Sequence, residues 1–256
     1  MGEAGGCPVH GWAAYDPSGT LAPYKFFRKV CNKWGDSKYP LVPGHEIVGV
    51  VMELGSKVPE SKFKVGQQVG VGCMVCSCLS CEECKLGVEQ TCNKVVWTYD
   101  SVDFVDGSIT KGGYSTIIIV DHKFVLKMPE NLPLDAAAPL LYAGITMYSP
   151  MRYFRMDMKG TNFGLLLGAD EFIISKDLDR MKAAAKSMDC ILDTVAYAHS
   201  LDPYLRLLKT NGKLVTVGIP EKPLSFHARH HSIGGNTIGG IQETQEMLDF
   251  AGKHNV

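Results

Sequence analysis

The chain has 256 residues, 45% of them hydrophobic and 21% charged, which is the composition of a globular protein with one large or two modest domains. Its formal net charge of -1 gives no indication of a nucleic-acid or anionic-membrane partner. No run of about 18 apolar residues occurs, so no membrane-spanning helix is predicted.

The first ten residues are rich in glycine and lack the apolar core of a secretory signal. Nine cysteines are present. Their clustering in a chain of this size favours a reducing compartment with a metal site over a secreted disulfide framework. The sequence therefore predicts a cytoplasmic protein.

Short apolar runs bounded by glycine dominate the first half of the chain and are typical of β-strands. Strands are predicted at 47–51, 69–72, 117–120 and 124–126. We therefore expect residues 1–133 to form a β-rich domain, with a loop at 76–92 that carries most of the cysteines.

The pattern changes at residue 134, where helical periodicity begins. Helices are predicted at 135–141, 146–154, 177–188, 201–208 and 243–253, and strands at 172–174, 190–195 and 213–218. Apolar strands that alternate with helices favour a parallel sheet covered by helices. Residues 134–256 are thus expected to form an α/β domain.

Four cysteines in the loop at 76–92 have the spacing C-x2-C-x2-C-x7-C; they are Cys78, Cys81, Cys84 and Cys92. Zn2+ takes four ligands in a tetrahedron, and thiolates suit it well. Four cysteines leave no open position for a substrate, so the predicted zinc is structural, one per chain. The alternative is a set of reduced surface thiols or disulfides.

A second motif begins directly before the predicted strand at 47–51. Gly44, His45 and Glu46 open the pattern G-H-E-x2-G-x5-G-x2-V, which Gly49, Gly55 and Val58 complete. Together with the four cysteines, this motif resembles the zinc-dependent medium-chain alcohol dehydrogenases. Several stretches of this chain resemble the plant cinnamyl alcohol dehydrogenase branch in particular: residues 11–14, 16–19, 34–35, 39–40, 132–135, 148–150, 220–223 and 243–246.

The resemblance implies a mixed α+β and α/β fold, with a GroES-like β-barrel domain followed by a Rossmann domain. It also implies NADPH-linked interconversion of hydroxycinnamyl aldehydes and alcohols, as in the lignin pathway, by a homodimer. The family uses a second, catalytic zinc that is held by a cysteine, the histidine of G-H-E and a later cysteine. That zinc acts as a Lewis acid on the carbonyl oxygen of a small aromatic aldehyde or alcohol.

The catalytic metal ligands of that family are incomplete in this chain. The segment that carries the first cysteine has no match, because Cys31 falls at a non-ligand position. Tyr142 stands where the later cysteine is expected. His45 and Glu46 then remain as remnants of the catalytic zinc site, and the alternative for His45 is a satisfied polar residue at the barrel edge.

The phosphate-binding turn of a Rossmann domain is also missing, since no G-x-G-x-x-G occurs in the sequence. Residues 159–168 run directly across the place where the first strand, the turn and its helix belong. The family continues beyond Val256 as well. The second domain is therefore expected to be incomplete, with an altered dimer-forming region. A splice variant, a gene fragment and an erroneous gene assembly would each produce this pattern.

Some residues still match cofactor contacts of the family. The set is Thr146, Thr194, Gly218, Asn236, Thr237 and Ile238. Trp97 matches an aromatic position of the substrate pocket. Ordinary strand-end, turn and core-packing roles are the alternatives for all of these residues. The histidines at 227, 230 and 231 could suggest a metal site, but a solvated loop is the favoured interpretation for them.

Two functional hypotheses follow from these observations. The first is a cinnamyl-alcohol-dehydrogenase-like oxidoreductase that keeps NADPH-linked activity. The second is a non-catalytic protein that is stabilised by a structural zinc ion and has a binding or regulatory role, or none. The residues present favour the second hypothesis for the activity of this chain.

Overall fold

The computed structural model describes residues 7–14, 21–28, 38, 41–59, 61–158, 163–164, 171–227 and 229–256, with backbone alone for 7–14, 21–28 and 163–164. The first half contains β1 Cys7–Ala14, β2 Leu21–Arg28, β3 Ile47–Val50, β4 Gln68–Val71, β5 Met74–Cys76, α1 Glu82–Lys85, a 3-10 helix at Glu89–Thr91, β6 Val96–Trp97 and β7 Leu126–Lys127. The second half contains α2 Leu134–Ala137, a 3-10 helix at Ala138–Leu141, α3 Ala143–Tyr153, β8 Phe163–Gly164, α4 Leu178–Ala183, β9 Met188–Asp193, α5 Asp202–Leu205, β10 Leu208–Thr216, β11 Ser232–Gly235 and α6 Ile241–His254.

The strands of the first half pair in antiparallel fashion, as the short apolar runs predict. Strands β3, β4 and β7 form one sheet, β5 pairs with β6, and β1 pairs with β2. In the first of these sheets Ile47 lies opposite Val71. These pairings confirm the prediction of a β-rich first half.

The second half contains a parallel sheet with the strand order β11-β10-β9-β8. Its centre is apolar, because Leu214 lies between Ile191 on β9 and Ile233 on β11. Strand β8 has only two residues and pairs with β9 through Phe163 and Gly164. The predicted parallel sheet is therefore confirmed.

Two predicted strands are wrong. Residues 117–120 and 172–174 are irregular. Ile119 is 96% exposed and Phe172 is 62% exposed, whereas Val120 packs against the core. An apolar run becomes a strand only where a neighbouring backbone offers hydrogen bonds, and the sequence pattern contains no information on that neighbour.

Two predicted helices are shorter than expected. The helix predicted at 177–188 ends at Ala183, because the chain turns through a left-handed Lys186 (φ 58°) into β9. The helix predicted at 201–208 ends at Leu205. Asn211, with φ 65°, lies within β10 at an irregularity of the strand register and does not terminate a helix.

One hydrophobic core joins the second half to the first. Met247, Leu248 and Ala251 lie on one face of α6 and are at most 4% exposed. They pack in the same cluster as Phe124 and Leu126, next to β7. The boundary at residue 133 therefore stays a prediction, since the last helix shares a core with the β-rich half. None of the described helices is long and apolar enough to span a bilayer.

Candidate metal centre and cofactor site

The cysteine loop, residues 76–92, was expected to be coil. Instead, α1 follows Cys81, and the 3-10 helix at Glu89–Thr91 leads into Cys92. A left-handed Leu79 (φ 53°) and a left-handed Gly87 (φ 74°) reverse the chain between these turns. The reversals bring Cys92 back against the first cysteines of the loop.

The four cysteine sulfurs lie within 4.8 Å of one another. The Sγ atoms of Cys78 and Cys84 are 3.9 Å apart, those of Cys81 and Cys84 3.4 Å, and those of Cys92 and Cys78 3.5 Å. Ligands at 2.3 Å in a regular tetrahedron are separated by about 3.8 Å. The sulfur positions therefore fit a tetrahedral zinc ion.

Hydrogen bonds to the sulfurs support thiolates at these positions. The backbone N–H of Cys81 donates to the Sγ of Cys78, and that of Lys94 donates to the Sγ of Cys92, each at 3.3 Å. The buried Ser77 hydroxyl lies 3.3 Å from the Sγ of Cys84. Hydrogen bonds from Ser80 lower the pKa of Cys78, whereas the pKa of the adjacent Cys81 thiol is raised, so the two thiols share a proton in the metal-free loop. Zinc requires deprotonated cysteine, so metal binding would displace that proton.

His45 lies in an aromatic cluster at the start of β3. Its ring stacks on Tyr99 with centroids 5.6 Å apart and meets the edge of Tyr142 at 4.5 Å. Burial lowers the pKa of His45, and the Glu46 carboxylate opposes the shift. The imidazole is therefore neutral at pH 7, which is the form that binds a metal.

Glu46 and Cys73 complete the surroundings of this cluster. The Oε1 of Glu46 accepts a hydrogen bond from the backbone N–H of Ala143 at 3.1 Å, so its carboxylate caps α3. Burial raises the pKa of Cys73 to about 12, and the Glu46 charge adds to the shift. Burial also raises the pKa of the Tyr142 phenol. Both groups therefore hold their protons at pH 7 while no metal is bound.

Within the described part of the chain, only the four cysteines of the loop gather three or more metal-ligating side chains around one point. His45 and Glu46 do not form a second such group. The histidines predicted to lie in a solvated loop do not form one either: His227 is exposed and pairs with Asp202 at 3.2 Å. Cys31 lies outside the described residues.

The predicted cofactor residues of the sheet lie just beyond the carboxyl ends of parallel strands, where ligands of such sheets bind. Thr194 follows β9, Gly218 comes two residues after β10, and Asn236 follows β11. A Cβ on Gly218 would overlap the carbonyl oxygen of Val195, so the loops after β9 and β10 touch through their backbones. This contact explains why glycine is required at position 218.

Of the remaining candidates, Thr146 lies on α3, and residues 236–238 lie between β11 and α6. Asn236 approaches the Ser149 hydroxyl at 3.5 Å, and its buried Oδ1 has no hydrogen-bond partner. Thr237 is exposed, whereas Ile238 is buried. Thr146 donates its hydroxyl hydrogen to the carbonyl of Tyr142 at 2.7 Å. An unpaired acceptor at Asn236 fits the carboxamide of a nicotinamide, so this end of the site suits the cofactor.

The phosphate end of the cofactor site is different. Residues 159–162 and 165–170, where the glycine turn is expected, lie outside the described residues, and the sequence there contains no G-x-G-x-x-G.

Trp97, the residue predicted to line the substrate pocket, lies on β6 and is 37% exposed. Its carbonyl accepts the Thr110 hydroxyl at 2.9 Å.

Sequence reasoning missed several contacts in these sites. Tyr99 stacks on His45, and Cys73 lies close enough to Glu46 for their charges to interact, although no motif marks either residue. Ser77 was not recognised beside the four cysteines. No local signal indicates the contact that Glu89 makes with residue 241.

Comparison with known proteins defines the class of protein. Residues 19–130 match the alcohol dehydrogenase GroES-like domain, and residues 154–253 match the zinc-binding dehydrogenase family. The chain therefore belongs to the zinc-binding, medium-chain alcohol dehydrogenase family and has its GroES-like and Rossmann-like architecture. The predicted fold and family are confirmed.

Among its relatives are an 8-hydroxygeraniol dehydrogenase from Catharanthus roseus (44% identical, covering 96% of this chain and 85% of the relative) and a cinnamyl alcohol dehydrogenase 2 from Rauvolfia serpentina (44%, with the same coverage). A solved cinnamyl alcohol dehydrogenase from Sorghum bicolor is 38% identical and superposes with a TM-score of 0.84 over 98% of this chain and 89% of its own. A Helicobacter pylori homologue solved with NADP(H) is 33% identical, with a TM-score of 0.76 over 98% and 90% of the two chains.

The alignments also show a difference in length. They extend over 310 residues, more than the 256 residues of this chain, although they cover 96% of it. The relatives therefore contain internal segments that have no counterpart here. This agrees with the expectation that whole segments are missing.

Proposed function

We propose that this chain is a cinnamyl-alcohol-dehydrogenase-like protein that keeps one structural zinc but has impaired or lost aldehyde reduction. The observation that carries the proposal is the contact between Tyr142 and His45. A neutral phenol lies where the family places a thiolate, and a phenol titrates near pH 10 even in water. Two protein groups, His45 and Glu46, are too few for a catalytic zinc, which normally has three protein ligands.

The four cysteines of the loop would hold the zinc, with Ser77 as an additional hydrogen-bond donor. When bound, the ion supplies folding free energy, and with four sulfur ligands it has no position left for a substrate. His45, Tyr99 and Tyr142 then form an aromatic cluster at the former catalytic position.

NADP(H) binding is proposed at the nicotinamide end only, through the loops after β9, β10 and β11. The pyrophosphate of a dinucleotide normally rests on backbone N–H groups at a helix N-terminus. The sequence contains no glycine-rich turn that could provide these N–H groups. The residues therefore fit the nicotinamide and do not fit the phosphates.

The competing proposal is an active NADPH-linked reductase of hydroxycinnamyl aldehydes with an unrecognised ligand set, cytoplasmic and homodimeric like the family. Its support is the 44% identity to dehydrogenases over nearly the whole chain. The substrate would stay open in that case, because equally similar relatives have names that point to different alcohols, such as a probable mannitol dehydrogenase from Fragaria ananassa.

NADPH is expected to bind with an affinity of about millimolar or weaker, because the phosphate cradle contributes most of the charge-assisted contacts to a dinucleotide. Reduced nicotinamide mononucleotide, which lacks the adenosine half, should bind about as well. Titration of the intrinsic tryptophan fluorescence with both ligands measures this. A micromolar affinity for NADPH, together with a large preference over the mononucleotide, would mean that another phosphate site exists.

A further inference from the structure

The cysteine loop also touches the C-terminal helix. Glu89 lies in the 3-10 helix between Cys84 and Cys92, and its Oε2 accepts a hydrogen bond from the backbone N–H of Ile241 at 3.2 Å. Ile241 is the first residue of α6. A carboxylate of the loop therefore binds one of the N–H groups that have no partner inside the helix.

Helix α6 depends on the loop for this cap because its own N-cap residue is Gly240, which has no side chain. A Cβ on Gly240 would overlap the carbonyl oxygen of Gly87 and lie 2.7 Å from the Glu89 carboxylate. The two backbones approach this closely only because glycine stands at position 240. The negative charge of Glu89 also lies at the positive end of the dipole of a 14-residue helix.

The segment just before α6 carries three of the predicted cofactor residues. Ile238 is buried in the shared core, and a Cβ on the next residue, Gly239, would meet the side chain of Ile145. Asn236 is held by the Thr216 carbonyl and lies near Ser149. Residues 236–238 are therefore fixed at one end by the sheet and at the other end by the start of α6.

We propose that the cysteine loop, ordered by metal, is a positioning element for the start of α6 and for residues 236–238, with Glu89 as its positioning residue. The metal would hold Cys84 and Cys92 on either side of Glu89, so the turn that aims the carboxylate depends on the metal. The proposal rests on zinc at the four cysteines and is independent of aldehyde reduction by this chain.

Hydrogen–deuterium exchange of peptides that span 236–248 tests the proposal, with the zinc content measured for every sample. In Glu89→Ala we expect retained zinc and exchange that is about two- to thirtyfold faster at the start of α6, the range that follows from loss of a helix cap. Glu89→Gln, which keeps an oxygen acceptor, should restore much of the protection. Glu82→Ala removes an exposed carboxylate of the same loop and should leave the exchange unchanged.

Removal of zinc by a chelator should raise the exchange rate in the same peptides at least as much as Glu89→Ala does. In metal-free protein, Glu89→Ala should raise the exchange rate little further, because the two changes act on one contact. Unchanged exchange at 236–248 in zinc-loaded Glu89→Ala, or after zinc removal, overturns this proposal and leaves the metal site intact. A wild-type chain without zinc overturns both.

Discussion

Coniferaldehyde-dependent oxidation of NADPH by the purified chain is expected to stay at or near background. The carbonyl lacks a positioned Lewis acid, since Tyr142 replaces one thiolate and the sequence has no match to the segment that carries the other. A Lewis-acid metal contributes several kcal/mol of transition-state stabilisation, and each 1.36 kcal/mol is tenfold in rate. The loss at the metal alone therefore predicts a rate reduced by about a thousandfold or more.

A series of variants separates the metal defect from the cofactor defect. Tyr142→Cys should not restore turnover, because the other cysteine ligand and the phosphate turn are still missing. A chain with Tyr142→Cys and both missing segments reinstated should regain activity. Tyr153→Cys, which places a thiol at a 77% exposed tyrosine at the end of α3, is the matched control. Clear turnover by the unmodified chain would contradict the proposed function and favour the active reductase.

The second large effect is expected from Cys84→Ser. Loss of one thiolate should release the zinc and unfold the cysteine loop, because apparent metal affinities of about 10–16 kcal/mol supply the folding free energy of such small sites. Limited proteolysis should then cut within residues 76–92, and a thiol-reactive chromophore should detect the freed cysteines.

Cys76→Ser provides the matched control for that experiment. Cys76 lies at the end of β5, two residues before Cys78, and is not one of the four clustered sulfurs. Zinc content and protease resistance should be unchanged in this variant. Retention of zinc by Cys84→Ser would mean that the metal is held elsewhere.

Local patterns predicted the elements whose partners are close in the chain. The spacing of the four cysteines, the alternation that forms β9 and β10, and the periodic face of α6 all correspond to observed structure. The apolar run at 117–120 failed because its pattern contains no information on whether a neighbouring strand is available.

Contacts between distant residues were not predictable in this way. Tyr142 and His45 are far apart in the sequence, and Glu89 meets Ile241 across 152 positions. Such pairs depend on how sheets and helices pack, and a single sequence contains no direct signal for them. The replacement of cysteine by Tyr142 was visible in the sequence, but its edge contact with the His45 ring was not.

The zinc content of the purified wild-type chain tests the central claim most directly. Elemental analysis after extensive dialysis should give one zinc per chain, bound at Cys78, Cys81, Cys84 and Cys92. Two tightly held zinc ions per chain would contradict the account, because a second site would then exist that the described residues do not form.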